Sequence, residues 1–196
     1  MTIFPETPRM EAAGTQDGRE VRRLTEDHVT VLNYCLGWSL VLVVKAGYET
    51  DGATVSLAVG SDKSVSQVKS LIRKYFPGED ENSVYNRIVG TPWDLPRLLA
   101  AVPHDALYSR KWMCRFLCDR VYKRILKSTE YEIIRREIEY DVIRLLGWRS
   151  WDAVSKEEKA MAKRLVSAKW VRTKSVPLYL ANLRITEKST TARLKT

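Results

Sequence analysis

The chain reads as an α+β protein, mostly helical, with an N-terminal β-hairpin followed by a packed helical hairpin and further helices. Three observations predict this. EVRRLTEDHVTVLNY (20–34) and WSLVLVVKAGYETD (38–51), both rich in Val, Leu and Thr, are separated by CLG and read as two paired strands. From residue 61 onward, apolar residues recur at spacings of three and four, the period of a helix with one buried face. Two Ser/Thr-x-x-Glu patterns, Thr129/Glu132 and Ser155/Glu158, mark helix starts.

The elements follow in order. Residues 1–18, rich in Pro, Gly, Thr and acidic side chains, read as a loose arm. WSLVLVV (38–44) suits a buried strand, and TDGATV (50–55) a tight turn in which Gly52 permits positive φ or a close backbone approach. In SDKSVSQVKSLIRKYFPGEDEN (61–82), Val65, Val68, Leu71, Ile72 and Tyr75 predict a helix that Pro77-Gly78 ends, part of an insertion over about 61–90. TPWDLPRLLAAVPHDALY (91–108) predicts a helix starting near Asp94 or Pro96, with a kink or second start at Pro103. Further helices are predicted over 111–127, over 130–146 up to Gly147, and over 156–172. This divides the chain into an arm (1–18), a central domain (19–150) and a basic C-terminal helix and tail (151–196).

Composition bounds the function classes. Of 196 residues, 44% are hydrophobic and 29% charged, which is globular rather than disordered. No apolar run approaches the length of a membrane span, and no basic-then-apolar leader opens the chain. A protein kept in a cytoplasm, or packed into a particle assembled there, is expected. Cys35, Cys114 and Cys118 are an odd set without framework spacing, which argues against a disulfide scaffold. Cys114, Cys118 and His104 would make three zinc ligands, but no C-x-x-C knuckle accompanies them, and buried free thiols are the other reading. The net charge of +9 is uneven: residues 155–196 carry 11 Lys and Arg against 3 acidic residues. That basic end suits anionic lipid, nucleic acid or an acidic partner, or else a solvated face. Lys163, Arg164, Lys169 and Arg172 are the candidate contact residues, with Lys156, Lys159 and Trp170 on the same predicted helix.

The chemistry concentrates in PHDALYSRKWMCRFLCDRVY (103–122). Trp112, Phe116, Asp119, Tyr122 and Leu126 fall on one helical face, so Asp119 sits within an apolar and aromatic stripe and needs a partner. His104 and Tyr108 share a face of the preceding helix, and antiparallel packing would bring His104 to Asp119. A carboxylate on an imidazole fixes its tautomer and raises its basicity, as a general base requires. Asp105 points elsewhere: toward a cation such as calcium, held with carbonyls near Asp51 and Gly52, or toward Arg120 or Arg124 in a purely structural cluster.

GYETDGATV (47–55), AAVPHDALYSR (100–110), CDRVYKRIL (118–126) and YDVIRLLGW (140–148) together resemble a bacteriophage- and prophage-associated family of unknown activity. Its marks are a TDGAS-like turn and an HDxLY motif. The resemblance implies a virion or infected-cell setting and phage structural proteins as partners. More remotely, the motif is similar to phospholipase A2, especially the form carried in parvovirus capsids. That likeness implies a calcium-assisted ester hydrolase with His104 as general base, Asp119 orienting it, Tyr108 supporting, and Asp105, Asp51 and Gly52 around the ion.

Overall fold

A computed structural model describes residues 2–3, 7–16, 19–51, 62–80, 83–84 and 95–183. The chain is α+β, with antiparallel sheets built from N-terminal strands and helices following. The predicted hairpin is present as β4 (His28–Asn33) and β5 (Trp38–Val44). A short 3-10 turn, Cys35–Gly37, joins them, with Leu36 and Gly37 both at positive φ. The remaining strands are β1 (Thr2–Ile3), β2 (Met10–Gln16), β3 (Arg19–Leu24), β6 (Glu49–Thr50) and β7 (Val166–Arg172). They form two sheets, β1-β4-β5-β7 and β2-β3-β6.

Both faces of the four-stranded sheet are covered, which explains the unbroken apolar run of β5. One face, with Leu32, Leu40, Leu42, Val44 and Val166, packs on the helical body. The other, with Val31, Val41, Val43 and Val171, is covered by Val176 and by Tyr179, Leu180 and Leu183. The latter residues belong to a helix over 176–183, α6, which follows a 3-10 turn at Thr173–Ser175.

The helical body comprises α1 (Asp62–Tyr75), α2 (Leu95–Arg110), α3 (Arg115–Ser128), α4 (Ile133–Ala153) and α5 (Lys156–Leu165). Helix α2 runs through Pro103 without a second start, and most of its residues are buried. A turn with Lys111 at positive φ reverses the chain into α3. Helix α4 packs on α3, and α1 packs on α4 through Val68, Ile72, Ile138, Val142 and Leu146. Ser155 caps α5 by accepting from the Glu158 amide at 3.0 Å, as its motif predicts.

Several sequence expectations change. The 1–18 arm contributes β1 and β2 to the sheets, and 20–34 is two strands in different sheets. Thr129 does not cap α4; its hydroxyl donates to the Leu126 carbonyl and closes α3. Gly147 does not end α4, which continues six residues further to Ala153. The predicted 156–172 helix stops at Leu165, and its second half is β7, paired in full with β5. The C-terminal segment is therefore part of the central sheet rather than an appendage. His28, which the polar character of its strand suggests is exposed, is buried on the helix-facing side, with Nε2 3.1 Å from Thr30 Oγ1.

Candidate active site

Three packed helices and one short strand assemble the polar cluster. In α2, His104 and Tyr108 lie one turn apart and face α3 across the antiparallel contact. In α3 the buried residues are Cys118, Asp119, Val121, Tyr122, Ile125 and Leu126, so Asp119 is a carboxylate inside an otherwise apolar seam. Phe116, the second residue of the predicted stripe, is exposed instead.

Asp119 is fully buried and accepts from three donors. His104 Nε2 lies 3.2 Å from Oδ1, and the Tyr108 hydroxyl donates to the same oxygen. Arg144, reaching in from α4, donates to Oδ2 at 2.5 Å. Burial alone would push this carboxyl up, but hydrogen bonds from His104, Tyr108 and Arg144 outweigh it and hold the group below the usual carboxylate range. The Tyr108 phenol is pushed well up, first by burial and then by its bond to that anion.

His104 is buried between two carboxylates. Its Nδ1 lies 3.3 Å from Asp105 Oδ1, opposite the Asp119 contact. Burial would lower its basicity; the bonds to Asp105 and Asp119 win, and its pKa is raised above the ordinary histidine value. An imidazolium donates from both nitrogens at once, which a neutral ring cannot do. The ring also stacks obliquely on Tyr108 at 4.1 Å and meets Tyr122 edge-on at 5.4 Å. Asp105 is the more accessible member, its side chain 28% exposed. Its Oδ2 accepts from Thr50 Oγ1 of β6 at 2.5 Å, so the strand that ends just before Asp51 docks on the HD motif. The three comparisons, with family models, with curated proteins and with solved structures, match nothing. The site therefore has to be read from its own chemistry.

The structure joins His104, Asp105, Tyr108 and Asp119 into one cluster. Among the described residues, Asp105 has no arginine partner. Arg120 lies over the Phe116 ring, while Arg124 donates to the Asn33 carbonyl and lies over Tyr34. Gly52 lies outside the described residues, and Asp51 is half-buried at their edge. Calcium takes six to eight oxygens. Beside His104 the described residues offer the Asp105 carboxylate, whose oxygens hold Thr50 and the imidazole, and the Asp119 carboxylate, whose oxygens hold the imidazole, Tyr108 and Arg144. The rest of the predicted calcium loop, from Gly52, lies outside the described residues, and the chemistry below is written for the side chains alone. Among the described residues, no three His, Cys, Asp or Glu side chains are placed to share a metal ion. Cys114 is exposed, Cys118 is buried, and the His104 nitrogens face carboxylates, which leaves no described zinc set.

Sequence reasoning missed Arg144 and Thr50. Both lie inside quoted motifs: Arg144 is the one cation within the apolar VIRLLGW, and Thr50 directly precedes Asp51. The basic residues Lys163 and Arg164 are exposed at the end of α5, and Lys169 and Arg172 are exposed on β7, so they occupy two elements rather than one helix face. Among the described residues no helix is long and apolar enough to cross a membrane.

Proposed function

We propose that the protein is an ester hydrolase acting on lipid, of phospholipase A2 type, with His104 as general base and Asp119 as its positioning carboxylate. The observation that carries this reading is the fixed direction of the imidazole. Tyr108 and Arg144 hold the Asp119 carboxylate, Asp119 holds Nε2, and Nδ1 is thereby turned toward the partly exposed Asp105. A water entering between Nδ1 and Asp105 gives its proton to Nδ1, and the resulting hydroxide adds to the ester carbonyl. When the tetrahedral intermediate collapses, the ester C–O bond breaks and Nδ1–H returns the proton to the departing alkoxide. The products are one acid and one alcohol, and the histidine ends as it began. The phage setting follows from the motif resemblance. The exposed Lys163, Arg164, Lys169 and Arg172 suit anionic lipid or phage components as partners.

The pH dependence has a definite sign. Because the two carboxylates raise the His104 pKa, the base form gains population at higher pH than in an ordinary histidine, and activity climbs along a limb displaced to higher pH. Asp105→Asn removes one carboxylate and should move that limb to lower pH. Release of fatty acid from phospholipid vesicles, with calcium and with chelator, is the direct assay. His104→Ala and Asp119→Asn should each reduce the rate at least a hundredfold.

A second reading has its own observation: both imidazole nitrogens are already on carboxylates, and the bonds of His104 and Tyr108 to Asp119 lock α2 to α3. A non-catalytic virion or assembly component would need no more than that. It is the correct reading if wild type turns over no ester under any of these conditions while His104→Ala lowers the denaturation midpoint.

A further inference from the structure

An exposed surface outside the site lies at the end of the sheet where the β4–β5 turn meets β7. Leu36 is 86% exposed there and is held out from the turn by a left-handed backbone, at φ 63. That conformation is disfavoured for a leucine. Trp38 and Trp170 stand beside it, 37% and 44% exposed. Register places them together, since Trp38 pairs with Arg172 and Leu40 with Trp170. Cations are interleaved with these rings: the Arg172 guanidinium lies 4.2 Å over Trp38, and Arg124 lies 4.3 Å over Tyr34, which meets Trp170 edge-on at 5.0 Å. An open cleft of about 770 Å³ beside the turn is lined by Gly37, Arg172, Thr173 and Lys174.

We infer that this end of the sheet is a docking surface for an anionic lipid bilayer: Leu36, Trp38 and Trp170 enter the headgroup boundary, and Arg172 and Lys174 meet lipid phosphates. The choice of occupant rests on charge and shape. Apolar and indole side chains flanked by cations suit a headgroup layer, which is apolar beneath and negative above. A single-stranded nucleic acid would need free aromatic faces for its bases, but Arg172 and Arg124 cover Trp38 and Tyr34, and the most exposed side chain is an aliphatic one with no face to stack. A second copy of this chain would bring like charges together in a protein of net charge +9. The inference deepens the lipid-hydrolase reading and rests on it for the identity of the surface as lipid.

Co-sedimentation of the full chain with ether-lipid vesicles tests it without involving turnover, because these lipids carry no ester. Binding should be strong to an equal mixture of ether-linked phosphatidylglycerol and phosphatidylcholine, weak to phosphatidylcholine alone, and reduced by salt. Leu36→Asn suits the left-handed backbone, so it should keep the native circular dichroism while lowering the partition coefficient about tenfold. Arg172→Gln should reduce the preference for anionic vesicles. Unchanged partitioning of Leu36→Asn would overturn the inference, as would binding to an oligothymidine but not to vesicles. Vesicle binding that depends on Leu36, in a protein that hydrolyses no ester, would refute the catalytic reading alone. Hydrolysis of a water-soluble ester without vesicle binding would refute the docking surface alone.

Discussion

Glycine 147 inverts an ordinary helix rule. Inside a helix, Gly→Ala normally stabilises by up to about 1 kcal/mol. Here a Cβ would sit 2.8 Å from the Tyr108 hydroxyl, which is held in place by its bond to Asp119. Gly147→Ala should therefore destabilise, by about 1–3 kcal/mol, and loosen Tyr108 from the carboxylate. Denaturant midpoints settle the sign, and a gain in stability would show that Tyr108 yields freely. The same residue shows what was legible at this scale. Glycine often ends helices, which makes Gly147 look like a terminator in sequence, yet the space it leaves serves a tyrosine from another helix. Asp119 and His104 could be paired from spacing alone, since a carboxylate in an apolar stripe requires a donor. Arg144 and Thr50 could not, because their reach to Asp119 and Asp105 depends on how α4 and β6 dock rather than on any local pattern.

Among the elements, β4 carries a second histidine with the opposite electrostatics. Burial pulls His28 from 6.5 down to about 4, so the folded state holds it neutral. Below pH 6.5 the unfolded chain binds a proton that the folded chain refuses, and stability drains until the pH reaches the folded pKa. The loss approaches roughly 3 kcal/mol by the end of that window. His104 runs the other way: with its pKa raised, its contribution is full below 6.5 and is lost as pH climbs through the raised value. Urea midpoints at about pH 7 and about pH 4.5 should fall with acidity in the wild type, and less steeply in His28→Val. The strand itself was legible from its Val and Thr content, but the burial of His28 was not, because that depends on which face the helices cover. The 156–172 segment failed for a related reason. Its Lys and Ala content favours helix throughout, while VSAKWVR can also lie flat against β5, and pairing with that strand decides the outcome.

For the whole molecule, the decisive strand pairing is the one furthest apart in sequence among the described strands. Strand β7 flanks β5, and α6 then covers the face bearing Val31, Val41 and Val43. A chain ending at residue 150 keeps the polar cluster but loses this strand and cover. It should not show cooperative urea unfolding, whereas the full chain should; a sharp transition in the short form would make residues 151–196 dispensable. The general class, strands first and helices after, was readable from hydrophobic period. The closure of the sheet by the last strand was not, because nothing in a local window reports a partner 134 residues away, the separation of Trp38 from Arg172. That separation also sets an order in time. At ribosomal rates of about 5–20 residues per second, the hairpin waits roughly 7–27 s for its last neighbour to be made. Throughout that interval the most apolar strand of the protein has one open edge and one bare face inside the cell. A newly synthesised chain is thus a natural client for a holding chaperone until β7 emerges, and slowing translation late in the message would lengthen that exposure.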